Sequence, residues 1–434
     1  MRKKLIYFLM SMIVVLSMSS SLLLAEAKSP VTVTFWSMRT AEHERKALLK
    51  MIKMFEKENP GIKVSPTWVP WAPAIDKTIA AATTGTLPDS SIIGGDYFGD
   101  FAAMGIFEIL DSYIANWDQK DNIYVDPLEP GPGNWYKGHV VCLPLEVGTM
   151  ELVYNKKMFK EAGILSPPKT WNEFIVDAAK LTNPEKGVYG WGQAGWTSQG
   201  YLPWLCIVAQ HNPFSAHHTF TPTGDIAFDN PIGYKMMEFW VDAYAKFKVT
   251  SRSMPVDGMR EMFLAFSTQK SAMMFTEPRG TGSALAAGVS IGTAPLPGGP
   301  VYGISQVRKF STNGNVSIGI FNTSKHKKEA WKWVSFMLSP KAQVIWASAI
   351  ASFPANLVAA QDPVFKNNPL LAPSYDAIKN RYLFKIPHYP GAADVGYVHA
   401  KVAMQNALLG KWTPEEAVKY WANEIRKKMK QASK

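Results

Sequence analysis

Short β-branched or aromatic runs alternate with amphipathic helical runs along this chain, and that alternation restricts it to α/β folds. Val31-Thr32-Val33-Thr34-Phe35-Trp36 reads as an opening strand. Leu48, Met51, Ile52 and Phe55 then recur at i, i+3, i+4, i+7 and predict a helix with one apolar face, stopped by Asn59-Pro60-Gly61. Ile62 and Val64 begin a second strand, and residues 75–83 carry a second helical pattern. Gly85-Thr86-Leu87-Pro88-Asp89 turns the chain into the run Ser91-Ile92-Ile93. Strand, helix, strand, helix, strand in that order implies a parallel sheet with right-handed crossovers.

The same grammar restarts near residue 140. Residues 140–143 and Leu152-Val153-Tyr154 read as strands. Thr170-Trp171-Asn172-Glu173 is a capping box, with Thr170 as N-cap and Glu173 at N3, and its helix is expected to reach about Leu181. Helices are predicted over 201–209, 231–247 and 259–267, with strands at 271–275 and Ile291–Pro295. The remainder reads as helical over 327–338, Pro340–Ala349, 374–380, 397–409 and 414–429. Two α/β units with no flexible tether between them suggest a chain that crosses between them more than once.

The first residues have a different character. Arg2, Lys3 and Lys4 precede an apolar stretch over 5–16, and Leu22-Leu23-Leu24 leads into Ala25-Glu26-Ala27. That layout is a secretory signal peptide over residues 1–27, cut before Lys28. Serines at 17 and 19–21 break the apolar run, which is short for a membrane anchor. No cysteine lies near the cut, so no lipid anchor is expected and the predicted location is the periplasm. The formal charge is +11, yet the basic residues are spread apart from short runs at 325–328 and 426–430. A nucleic-acid reader concentrates its charge in a motif or stripe, so solvated helix faces are the better reading and no nucleic-acid partner is expected. With 47% hydrophobic and 19% charged residues the chain is not disordered. Cys142 and Cys206 alone cannot build a disulfide scaffold. Both sit in apolar runs and read as small buried hydrophobes, and a bond between them stays open at this level.

No catalytic motif is present. H-E-x-x-H, G-x-S-x-G and G-x-x-x-x-G-K-[ST] are all missing, and Gly280-Thr281-Gly282 lacks the third glycine of a dinucleotide loop because Leu285 stands there. Asp96, Glu146 and Glu277 offer carboxylates for a glycoside hydrolase, but no spacing supports a pair. His211, His217 and His218 cluster without the three or four ligands zinc needs. Neither a catalytic residue, a metal nor a cofactor is expected.

What stands out is the placement of aromatic and polar residues after strands, where parallel α/β sheets bind ligands. Trp36 and Ser37 end the first strand, with Arg39 just beyond. Trp68 and Trp71 follow the second, and Gly94-Gly95-Asp96-Tyr97 the third. Glu277 and Arg279 follow the strand ending at Phe275, while Trp196, Tyr201 and Trp204 gather around Gly192, Gly195 and Gly200. Flat rings stack on sugar faces and carboxylates, guanidiniums and amides bind hydroxyls, so these residues sketch a small-solute pocket.

At the level of motifs the chain resembles the bacterial extracellular solute-binding proteins of family 1, the sugar-capturing components of ABC importers. Residues 54–64, the turn Gly85-Thr86-Leu87-Pro88-Asp89 and the stretch Val153-Tyr154-Asn155-Lys156-Lys157-Met158-Phe159-Lys160-Glu161-Ala162-Gly163 carry the resemblance. Pro168-Lys169-Thr170-Trp171, Ser271-Ala272-Met273-Met274 and the closing Gly410-Lys411-Trp412-Thr413-Pro414 extend it over nearly the whole chain after the leader. The resemblance implies an α/β, two-lobed periplasmic-binding-protein fold of type II, each lobe a mainly parallel sheet flanked by helices, joined by hinge strands. It places the first lobe at 28–146 and 295–350 and the second at 147–294 and 351–434, with hinges near 146–149, 292–295 and Ala351. Its partners would be a carbohydrate or related small solute and membrane permease subunits, with the protein itself monomeric.

The resemblance also assigns residues. Asp96 and Tyr97 fall where a loop binds sugar hydroxyls, and Tyr397 where an aromatic stacks on sugar. Gly148 stands where maltodextrin binders have an acid, for which Glu146 is the nearby substitute. Asn313 completes the expected ligand set. Arg279 stands where the family often has a stacking Trp, and with Arg39 it raises an anionic solute as the alternative to a neutral sugar. Pairing of Arg279 with Glu277 would remove that argument.

Overall fold

The computed structural model describes residues 29–126, 130–131, 133–215, 219–313, 316–385, 389 and 391–432. The expected signal peptide and the pair His217 and His218 lie outside the described residues. The strands are β1 (Val31–Ser37), β2 (Ile62–Trp68), β3 (Ser90–Gly94), β4 (Asn134–Tyr136), β5 (His139–Val147), β6 (Glu151–Asn155) and β7 (Tyr189–Trp191). They continue as β8 (Ser271–Thr276), β9 (Ile291–Pro295), β10 (Ser311–Asn313), β11 (Val316–Ile320), β12 (Phe353–Pro354) and β13 (Leu383–Lys385).

Among the described residues these strands form a large sheet in the order β12-β5-β11-β3-β1-β2, with β4 beside β5, and a smaller sheet in the order β7-β8-β6-β9. A third, two-stranded ribbon pairs β10 with β13. The β-α-β-α-β start forms as the sequence implies. Strand β1 pairs parallel to β2 from Val31↔Ile62 to Ser37↔Trp68, and parallel to β3 at Phe35↔Ser90. The helix Glu42–Glu58 between β1 and β2 buries Leu48, Met51, Ile52 and Phe55, and Phe55 meets the edge of Trp333 at 5.2 Å. The next helix, Trp71–Thr84, stops where Gly85 takes φ 68°, a left-handed cap that suits glycine.

In the smaller sheet the capping box behaves as read. The Thr170 hydroxyl accepts from the Glu173 amide at 3.2 Å, and Glu173 accepts back from the Thr170 amide at 3.3 Å. The helix Trp171–Leu181 that follows seats Phe174 on Phe275 of β8 with ring centres 5.0 Å apart. The closing helix Pro414–Ala432 returns to this body, where Trp421 packs on Trp204 at 5.4 Å and on Phe228 at 4.8 Å.

The chain passes between the sheets three times. It leaves β5 at Val147 and enters β6 at Glu151, so the first passage is Gly148-Thr149-Met150. It leaves β9 at Pro295 and reaches β11 at Val316, with β10 on the way. It leaves β12, which still pairs with β5 at Phe353↔Val147, and runs to β13 and the closing helices. The result is a two-lobed α/β architecture. Both sheets are mixed: the parallel order expected holds for β1, β2, β3 and for β7 with β8. The strands next to the passages, β11, β12 and β6, pair antiparallel to their neighbours, and β11 and β6 enter their sheets directly from the other body.

Two details depart from the sequence reading. Gly94-Gly95-Asp96-Tyr97 is not a loop, because a helix, Gly95–Ala103, begins there with Gly94 as its N-cap. Val316–Ile320, fully buried, is a strand that the sequence pattern did not reveal. The cysteines are both free and wholly buried, Cys142 in β5 and Cys206 in the helix Ser198–His211, so no bond joins them. Burial pushes both thiols up from their ordinary range. Without reductant, a thiol-reactive chromophore should therefore find no reactive cysteine in the native protein and two after denaturation. Finding none after denaturation would show a disulfide.

Candidate functional site

The strand directions decide where a ligand can sit. In the large sheet β3 runs parallel to β1, and β5 regains that direction through antiparallel β11. The carboxyl ends of β1, β3 and β5 therefore lie along one edge, joined by the start of β11, where Val316 pairs with both Gly94 and Glu146. In the smaller sheet Glu151, at the start of β6, pairs with Thr276 at the end of β8 and with Pro295 at the end of β9. A cavity of about 660 Å³ is lined from both edges. Arg39, Trp71, Gly95, Tyr97 and Val316 come from one side, and Ser198, Phe263, Thr276, Arg279 and Gly282 from the other. Ile350 and Ala351, which carries φ 50°, close it near the third passage.

Arg39 anchors the first wall. Its Nε donates to Glu146 Oε1 at 3.0 Å and its Nη2 to Glu146 Oε2, a fork with both partners buried. Nη1 stands 3.8 Å from Glu44, and the guanidinium lies 5.4 Å from the centre of the Trp71 ring. Trp71 is only partly buried and faces Tyr97 with ring centres 6.5 Å apart. Tyr97 owes its place to Gly94, since a Cβ there would lie 2.8 Å from its ring. On the opposite wall Arg279, on the short turn Pro278–Thr281, pairs with the buried Glu277 at 2.5 Å. Glu277 in turn rests against Gly148 of the first passage.

The helices Gly95–Ala103 and Ser198–His211 both begin at the cavity. Each presents the positive end of its helix dipole to the cavity, which favours ligand oxygens there, while the Gly200 and Tyr201 amides already donate to the Thr197 carbonyl. The arrangement is thus one partly exposed aromatic wall, two guanidiniums paired with carboxylates and two helix starts.

Of the residues singled out from the sequence, Arg39, Trp71, Tyr97 and Arg279 line the cavity, and Glu146 and Glu277 hold its two arginines. Trp36, Ser37, Trp68, Trp196 and Tyr201 do not line it. Trp36 is 8% exposed within the first core, under Lys77, and Ser37 is buried with its hydroxyl accepting from the Arg39 amide. Trp68 lies on the edge strand β2 beneath Arg45, away from the central strands. Trp196 donates to the Val256 carbonyl at 3.1 Å, and Tyr201 packs against Trp421. Asp96, Asn313 and Tyr397 are described by their backbone alone, so their side chains lie outside the described residues. His211 is structural: Nδ1 and Nε2 lie 2.7 and 2.8 Å from the carbonyls of Ile207 and Gly299.

The sequence reading passed over Ser198, Phe263, Thr276 and Gly282, which carry no distinctive chemistry and are recruited by position alone. It also passed over Glu151. This carboxyl is fully buried, accepts from the Thr149 hydroxyl at 3.2 Å and leaves Oε1 without a hydrogen-bond partner. Burial, together with the charge of Glu277, holds its pKa well above the usual 4.5. Among the described residues no three His, Cys, Asp or Glu side chains are grouped to hold a metal ion.

Comparison with known proteins agrees with this geometry. Residues 41–344 match the family model described as bacterial extracellular solute-binding protein, and residues 316–381 match a second model of the same description. A binding protein of Brucella abortus is 28% identical over 420 residues, 93% of each chain. The maltotriose-binding protein of Pyrococcus abyssi is 26% identical over 305 residues, 70% of this chain and 62% of its own. Among solved structures, an ABC transporter solute-binding protein of Thermotoga lettingae bound with α-D-tagatose superposes with a TM-score of 0.78. It is 23% identical and covers 92% of this chain and 100% of its own, which speaks to the fold alone.

Glu151 sets a pH dependence whose sign is fixed by its raised pKa. The folded state holds this proton more tightly than the unfolded state. The stability it contributes is fully present below about pH 4.5, the value for the unfolded chain, and is lost as pH rises through the higher folded value. Glu151→Gln should therefore raise the melting temperature at pH 7 and leave it nearly unchanged at pH 4. Equal effects at both pH values would contradict this.

Proposed function

The chain belongs to the bacterial extracellular solute-binding proteins, and on that premise we propose that it is the substrate-binding component of an ABC importer, capturing a neutral carbohydrate between its lobes. The observation that carries the choice of a neutral ligand is the pairing of both cavity arginines, Arg39 with Glu146 and Arg279 with Glu277. A guanidinium already neutralised by a buried carboxylate still donates to hydroxyls, but it offers an anion far less net attraction. Trp71 supplies the flat apolar surface for a sugar face, and the two helix starts supply the positive ends of their dipoles for its oxygens.

In this reading the leader, residues 1–27, exports the protein to the periplasm, where it works as a monomer. The first lobe is residues 28–146 and 295–350 and the second is 147–294 and 351–434, with Phe353-Pro354 still attached to the first lobe's sheet. Bending at the three passages closes the lobes on the sugar. The closed form then docks on the permease. No bond is made or broken in the cleft.

A thermal-shift screen of the protein against neutral mono- and oligosaccharides, sugar acids and polyol phosphates tests this. A ligand at 100 times its Kd adds about 2.7 kcal/mol of stability, a shift of a few degrees. Hits among neutral sugars are expected; hits confined to anions would overturn the neutral reading, and consumption of glycosides would overturn transport. Trp71→Ala should weaken binding by roughly 1–3 kcal/mol with little loss of stability. Trp36→Ala should instead lower stability by about 3–5 kcal/mol and leave binding unchanged. The double change Arg39→Met with Glu146→Leu should keep the fold yet lose binding. Arg39→Ala alone should cost about 3–5 kcal/mol of stability, because it strands a buried carboxylate.

A further inference from the structure

A second cavity, of about 360 Å³, lies on the other side of β6 from the cleft. The cleft takes Thr276 at the end of β8, whereas this cavity takes Ala294 and Pro295 at the end of β9, and β6 runs between those strands. Its walls come from all three passages: Thr149 and Met150 from the first, Leu296 and Phe310 from the second, and Pro373 and Ala377 from the third, between β12 and β13. That volume lies within the usual range for small-molecule sites, roughly 300–1,000 Å³.

The chemistry of the lining selects a ligand class. Met150, Leu296, Phe310, Pro373 and Ala377 present an apolar interior, with the Phe310 ring stacked on Phe384 at 4.8 Å. The neutral polar groups on the wall already commit their hydrogen bonds to the protein. Thr149 donates to Glu151, Ser311 to the Met150 carbonyl and Tyr382 to Asp376. The Gln210 oxygen accepts from the Trp171 indole, and the Gln306 oxygen from the Gly299 amide. The polar groups left for a ligand are two rim lysines. Lys309 reaches Asp376 only at 3.9 Å with most of its side chain exposed, and Lys169 is exposed beside the prolines Pro167 and Pro168. An apolar body with an anionic group at one end satisfies both parts, since burying the body is favourable and the charge meets ammonium groups at the mouth.

We propose that this cavity is a second binding site, separate from the cleft, for a small flat apolar molecule carrying one anionic group. It does not depend on which solute the cleft binds. The probe is 8-anilinonaphthalene-1-sulfonate, titrated by fluorescence into the folded full-length protein. Saturable binding of one equivalent is expected. Leu296→Trp, at a half-buried wall position that can take added bulk, should weaken it about tenfold or more. Lys169→Glu combined with Lys309→Glu, both on the surface and harmless to packing, should do likewise, and more so at low salt. Trp71→Ala in the cleft should leave it unchanged. Circular dichroism and the melting temperature of each variant establish that it is folded. Absence of saturable binding, or binding untouched by both the Leu296 and the lysine variants, would overturn the site. Loss of binding in Trp71→Ala alone would assign the probe to the cleft and overturn it equally.

Discussion

The buried fork between Arg39 and Glu146 is the contact from which the cleft is built. In the large sheet β11 and β3 stand between β5 and β1, so the pair joins the carboxyl ends of two strands that are not neighbours. Two charges taken out of water are a liability unless each satisfies the other, and here two hydrogen bonds do so. The consequence is positional. The guanidinium is held under Trp71, and Glu146 is held two residues before the chain leaves the sheet at Gly148. The cavity wall and the first passage between the bodies therefore share one electrostatic anchor.

The second wall repeats the device on a smaller scale. Glu277 pairs with Arg279 and lies beside Gly148 of the first passage. Behind it Glu151 carries a buried carboxyl with one oxygen unpartnered. Burial disfavours its charged form and raises its pKa well above the usual carboxylate value, so the passage between the sheets sets a carboxyl that resists ionisation beside an ion pair. The strand that bears it runs between the cleft and the apolar cavity behind.

The aromatic residues divide by exposure rather than by position after a strand. Trp171, Trp191, Trp204, Trp240, Trp333 and Trp346 are fully buried, and Trp36 nearly so, because an indole removes more apolar surface from water in a core than on a cleft wall. Trp71 remains half-buried at the start of the helix Trp71–Thr84, where it lines the cavity between Arg39 and Tyr97. Position after a strand marked both kinds alike, so Trp36 and Trp71 looked equivalent in the sequence.

Local rules were legible. The apolar spacing of Leu48, Met51, Ile52 and Phe55, the Thr170 capping box and the glycine at 85 each describe interactions within a few residues, and each formed as read. The order of strands and helices was enough for the α/β class, and motif resemblance reached the two-lobed fold. Strand β11 was not legible, because its direction and neighbours are set by the passage from the other body rather than by its own five residues. Nor was the pairing of Arg39 with Glu146, 107 residues apart, whereas that of Arg279 with Glu277, two residues apart, was one of the alternatives the sequence offered. Sequence alone determined which residue types were available near the ends of strands. The tertiary structure decided which of them face one another across the junction, since burial and charge pairing depend on distances that only the packed sheets define.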